Sequence, residues 1–144
     1  MKRFICMGLV VLMAVFAAVP AYAADMTKNE AAQGVIAPRF TYISMLNAGL
    51  SINSVGKATC VGIVTLYDDS HSTDLTVSLQ KSTSNGWTTI KEWTVSGTGI
   101  PGVATEQYYY VVNGTYRVCA TAKVYNASGI LLETESLYSV TVTY

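Results

Sequence analysis

One histidine set among carboxylates is the first place to look for chemistry. His71 stands between Asp68-Asp69-Ser70 and Ser72-Thr73-Asp74. An imidazole in that company could serve as a general base or as a metal ligand, and paired aspartates are hard oxygen ligands that suit calcium. The plainer reading is a solvated loop. No other histidine exists in the chain, and the loop lacks the regular spacing and central glycine of a dedicated calcium site. A serine nucleophile would have to borrow this same histidine, and no nucleophile-elbow motif is present. Gly97, Gly99 and Gly102 lie in a proline-containing segment that opens no helix, so they do not read as a phosphate loop. The reading is of no catalytic residue, no metal site and no cofactor. An enzyme or enzyme inhibitor using the Asp68–Asp74 loop and His71 is the alternative.

Aromatic residues offer a second resource. Trp87 and Trp93 are six apart, which places them on one face of a single strand with Thr89 and Lys91 between them. Ile90 falls on the other face. If Ile90 points inward, Trp87, Lys91 and Trp93 form an outward platform on which a sugar ring or a peptide could stack. In the competing reading one tryptophan folds over a sheet margin and completes the core.

The first residues speak to destination. Lys2 and Arg3 precede an uncharged apolar stretch from Phe4 to Val19, then Pro20 and Ala21-Tyr22-Ala23. Residues 1–23 therefore read as a signal-peptide helix, cleaved after Ala23. The apolar run is shorter than the roughly 20 residues of a spanning helix, so no membrane insertion is expected after cleavage. Cys6 lies away from the cleavage point, which argues against a lipid anchor. The short charged region and compact apolar region suit a bacterial exporter, and the expected location is secreted, extracellular. Cleavage leaves seven basic residues against nine acidic ones, a net charge of about −2. That is no electrostatic footprint for nucleic acid.

Beyond the leader the chain reads as strands and turns. Residues 24–38 are small and polar without a sustained period, a flexible lead segment. Residues 39–144 carry alternating apolar and polar residues broken by turn signals, the pattern of one all-β domain. A first strand spans Thr41–Leu46, and Ala48–Asn53 continues it after a kink at Asn47 or forms a second short strand. Lys57–Tyr67 is rich in β-branched residues. Leu75, Val77 and Leu79 alternate with polar partners, and Asn85-Gly86 reads as a hairpin turn into Trp87–Val95. Thr105–Val112 and Thr115–Tyr125 read as a second hairpin across Asn113-Gly114. Tyr116, Val118, Ala120, Ala122 and Val124 share its inward face. Ile130–Thr134 and Tyr138–Tyr144 close the sheet. Asn113-Gly114-Thr115 and Asn126-Ala127-Ser128 match glycosylation acceptors but read as turn residues.

Seven to eight such strands suggest an antiparallel β-sandwich. The run Gly114, Tyr116, Val118, Ala120, Ala122, Val124, Asn126 resembles the immunoglobulin-like, fibronectin type III-like pattern. That resemblance implies that Tyr116 is a tyrosine-corner residue, its hydroxyl bonded to backbone a few residues upstream. A looser resemblance rests on Leu79-Gln80-Lys81, on Gly86-Trp87-Thr88-Thr89-Ile90-Lys91-Glu92-Trp93 and on Gly114-Thr115-Tyr116-Arg117-Val118. It is to small secreted proteins of Gram-positive bacteria, over roughly residues 38–144. It implies secretion and a β-sandwich, and transfers no site residues.

Cys60 and Cys119 are the two cysteines left after cleavage, and an exported pair suggests one disulfide. The immunoglobulin resemblance would link the second strand to the sixth, where these two lie. Alternation opposes it. Cys119 shares a face with Arg117, Thr121 and Lys123 and is expected to face solvent, while Cys60 lies with Ala58, Val64 and Leu66 on the core face. Bridged Cβ atoms must approach to about 4.5 Å, so pairing requires a bulge between Tyr116 and Cys119. The expected function is that of a secreted, non-catalytic binding or surface-structural module whose ligand is a protein or a glycan.

Overall fold

Alternation decides the strands. The computed structural model describes residues 39–144, so the signal peptide and lead segment expected from the sequence lie outside the described residues. The strands are β1 (Ile43–Ile52), β2 (Lys57–Leu66), β3 (Ser72–Thr83), β4 (Gly86–Thr98), β5 (Val103–Tyr110), β6 (Thr115–Tyr125), β7 (Leu131–Tyr138) and β8 (Val142–Thr143). Along β2 every second residue is buried, and β-branched residues suit such a half-buried pleated surface.

Two antiparallel sheets form a β-sandwich-like, all-β fold. Sheet A has the order β1-β2-β5. Sheet B has the order β4-β3-β6-β7, with β8 also pairing β6. Between them lie Ala58, Cys60 and Val64 of β2, Leu75, Val77 and Leu79 of β3, and Tyr116, Val118, Ala120, Ala122 and Val124 of β6. Each large side chain here contributes about 1.5–3 kcal/mol by leaving water. Gly62 is glycine because a Cβ there would run into the Val77 side chain from the facing sheet.

Three sequence expectations change in the folded chain. Asn113-Gly114 does not join a hairpin: β5 pairs with β2 in sheet A, and β6 pairs with β3 in sheet B. The segment is a crossover between sheets. Val111 N donates to Gly56 O at 2.8 Å as the chain leaves sheet A, and Gly114 and Tyr144 exchange two backbone bonds of 2.9 Å as it joins sheet B. A local Asn-Gly signal marks a reversal of the chain but does not say which sheet receives the next strand. The expected kink at Asn47 is absent, since β1 runs unbroken and its register shifts instead between Ile43 and Met45. The expected strand Tyr138–Tyr144 is interrupted. Ser139 replaces a carbonyl with its hydroxyl, accepting from Val118 N at 2.9 Å while its own N–H donates to Val118 O at 2.9 Å.

Glu133 ties the start of β1 to β7. Its carboxylate accepts the N–H groups of Thr41 and Tyr42 at 2.8 Å and of Ile43 at 3.1 Å.

Candidate functional site

The outward face of sheet B carries the most organised group of side chains. Its construction starts from an irregularity in β4. Leu79 of β3 pairs with Lys91, yet the next residue, Gln80, pairs with Thr89, leaving Ile90 as the extra residue of a β-bulge. The bulge reverses the alternation. Trp93 lies opposite Val77, a core residue, and packs with Ile90 and Val95 against the core. Trp87 lies opposite Ser82 and faces out. The expected platform of Trp87, Lys91 and Trp93 on one face is thus divided. Trp93 covers the sandwich margin, and Lys91 is exposed with its Nζ 5.9 Å from the Trp93 ring centre. Only Trp87 remains on the outward face of the sheet.

There Trp87 meets residues from two other strands. The Arg117 guanidinium of β6 lies 4.3 Å from the Trp87 ring centre and 3.9 Å from that of Tyr138 in β7. Its Nε donates to Gln80 Oε1 of β3 at 2.8 Å. A planar cation stacked on two rings and held by one hydrogen bond has few orientations left. Among the described residues this is the one hydrogen bond made by the Arg117 side chain, so its terminal nitrogens are free to receive an acceptor. Threonine and serine rows continue the face, with Thr76 bonded to Thr94 at 2.9 Å and Thr121 to Ser136 at 2.8 Å. The arrangement can offer an aromatic surface, a planar bidentate donor and a hydroxyl-lined floor. Arg117, Gln80 and Tyr138 were not singled out from the sequence. The available signal was a lone arginine amid small polar residues on the outward face of β6.

Cys119 lies on this same face, directly between Ser78 and Tyr138. It is only 8 % exposed, which corrects the expectation that it faces water: neighbouring side chains on the two flanking strands cover it. Cys60 is fully buried on the core side of sheet A, where burial pushes its thiol up to about 11. Both are free thiols, and sheet B separates them. Native thiol labelling is expected to be slow at both. Tyr138→Ala should speed the modification of Cys119 and leave Cys60 protected until unfolding. Equal acceleration at both sites would contradict this placement.

The histidine loop is built differently. Asp68 accepts from Ser70 N at 2.7 Å, and the bonds from Ser70 hold its carboxyl below the usual range. Asp69 Oδ1 accepts from Ile100 N at 2.7 Å, and Asp74 Oδ1 accepts from the Ser96 hydroxyl at 2.6 Å. Each carboxylate is engaged in fastening backbone or a neighbouring strand. The His71 ring stands edge-on to Tyr42 at 5.2 Å, and its buried Nδ1 has no partner among the described residues. No group of three or more metal-ligating side chains occurs among the described residues.

Tyr116 is buried beneath the crossover, and its hydroxyl donates to Val112 O at 2.6 Å. Beside it lies a cleft of about 260 Å³ lined by Lys81, Ile90, Tyr109, Val112 and Tyr116 among others. Lys81 Nζ donates to Asn113 O at 3.3 Å. No protein-family model matches the chain, and no curated protein matches it.

Proposed function

We propose that this chain is an exported, non-catalytic module of immunoglobulin-like, fibronectin type III-like architecture that binds a glycan through the outward face of sheet B. The observation that carries the reading is the Arg117 guanidinium held between Trp87 and Tyr138 and steadied by Gln80. An aromatic ring can receive the apolar face of a pyranose on the side that Arg117 leaves uncovered, and a pre-oriented guanidinium receives a carboxylate in bidentate fashion. The ligand class is therefore an acidic glycan, with a uronic-acid unit as its simplest form. The sandwich architecture is supported by the two antiparallel sheets, and the fibronectin type III-like assignment by the Tyr116 hydroxyl bonded to backbone four residues upstream. Export rests on the leader sequence.

A glycan panel containing neutral and uronic-acid oligosaccharides tests the reading. Binding is expected to favour the acidic members. Arg117→Ala should weaken it about tenfold to a hundredfold, matching the roughly 1.5–3 kcal/mol of a charged hydrogen bond. Arg117→Lys should recover little, because an ammonium lacks the planar fork. His71→Ala should leave binding unchanged. Retained affinity in Arg117→Ala, or no preference for acidic glycans, would remove this assignment.

A further inference from the structure

A two-sheet sandwich leaves strand edges, and those of β1, β4, β5 and β7 are not equally protected. The start of β1 is fastened to Glu133 of β7 and carries a register shift. The β4 edge carries the bulge at Ile90, followed by Lys91 and Glu92. The β7 edge carries Glu133 and Glu135. Bulges and charges of this kind discourage pairing with another chain. The β5 strand has neither a bulge nor a lysine, and Glu106 is its single charge.

The hydrogen-bonding side of β5 can be read from its register. Val111 N donates to Gly56 O, so by alternation the odd-numbered residues of β5 bond to β2. Ala104, Glu106, Tyr108 and Tyr110 therefore turn their N–H and C=O groups toward the open edge. Their side chains lie on the outward face of sheet A, where Tyr108 is 51 % and Tyr110 70 % exposed. On that face Lys57 Nζ sits 3.8 Å from the Tyr108 ring centre, and the Tyr108 hydroxyl donates to Glu106. The result is a row running from cation through ring to carboxylate.

We infer that β5 is a self-pairing edge, joining two copies of this chain into a twofold dimer with one continuous six-stranded sheet. The register follows from charge and overlap. A dyad at Glu106 would set two carboxylates side by side, which is unfavourable. A dyad at Tyr108 would overlap only the last residues of the strand. A dyad at Gln107 pairs Glu106 with the partner's Tyr108 and Ala104 with the partner's Tyr110, each pair exchanging N–H···O bonds in both directions. It also brings the Lys57 ammonium of one copy alongside the carboxylate of the other. The occupant is a second copy because the row of Lys57, Tyr108 and Glu106 is complementary to itself when reversed. This interface is independent of the glycan surface on sheet B.

Sedimentation of the purified protein tests the dimer, with Glu106→Lys as the disrupting variant. Glu106 is exposed, so the substitution spares the core. A concentration-dependent dimer is expected, at least tenfold weaker in Glu106→Lys, and restored in the charge-exchanged Lys57→Glu/Glu106→Lys chain. In a Cys60→Ser background, Gln107→Cys should form an intermolecular disulfide on mild oxidation, because the dyad places the two thiols opposite each other. Arg117→Ala should leave the mass unchanged. A protein that stays monomeric at several hundred micromolar would overturn the inference. So would a dimer indifferent to Glu106→Lys, a charge-exchanged chain that stays monomeric, or failure of the Gln107→Cys cross-link.

Discussion

Tyr116→Ala is expected to cost about 3–5 kcal/mol, the range for deleting a buried aromatic side chain. The residue is 1 % exposed and the largest of the fully buried side chains. It works at the one place where the chain passes from β5 of sheet A to β6 of sheet B. Its ring packs in the core between the sheets, and its hydroxyl donates to Val112 O at 2.6 Å, across the crossover itself. Tyr116→Phe separates the two contributions. It keeps the ring and removes the bond, and should cost about 1–3 kcal/mol because a carbonyl in a part-buried position loses its donor. Tyr109→Phe is the control, since that ring is 37 % exposed and its hydroxyl has no partner among the described residues. It should fall within about 0.5 kcal/mol of the parent. Denaturant unfolding measures all three, and equal losses in the two Phe variants would show that the Tyr116 hydroxyl does not hold the crossover.

Gly102→Ala is expected to be comparably damaging, for a reason that lies in the backbone. Gly102 has φ +88, a conformation that costs a residue with a Cβ about 1–3 kcal/mol. Space is lacking as well. The added Cβ would meet the Val64 carbonyl oxygen and would lie 2.8 Å from Thr65 Cα, both parts of the β2 backbone. Neither can swing aside like a flexible side chain, so a further 1–3 kcal/mol or so of overpacking is expected. Gly129→Ala makes the comparison clean. Gly129 has φ +76 and nothing within 4 Å of an added Cβ, so it carries the conformational cost alone. Unfolding midpoints should drop clearly further for Gly102→Ala, and matching drops would mean that β2 yields to the new methyl. Because Gly102 immediately precedes β5, this substitution should also disturb the edge proposed to pair with a second copy.

The outward face of sheet B shows how far local pattern reaches. Trp87 could be picked out as an aromatic residue on a strand, but its companions could not. Strict alternation placed Trp93 beside it, and one extra residue at Ile90 sent Trp93 to the core side instead. Arg117 comes thirty residues later, and Tyr138 later still. They reach Trp87 only because β4, β3, β6 and β7 lie side by side in that order. The two cysteines show the same limit in another form. Alternation put Cys119 on the outward face, where it is, but could not show that neighbouring strands would cover it.

The sequence alone determined what depends on near neighbours along the chain. A two-residue period fixes which side of a strand is apolar. The all-β class, the inward face from Tyr116 to Val124 and a β3–β4 hairpin near Asn85-Gly86 are therefore legible from the order of residues itself, although its two-residue loop is Ser84-Asn85, with Thr83 paired to Gly86. Tertiary structure decided whatever depends on partners distant in sequence. Strand alternation is the same whether β5 and β6 share a sheet or cross between two, and the choice falls to whichever pairing closes the core. Here β2 takes β5, β3 takes β6, and Asn113-Gly114 becomes a crossover. The outward face of sheet B and the open edge of β5 both follow from that closure, because each exists only once every strand has its neighbours.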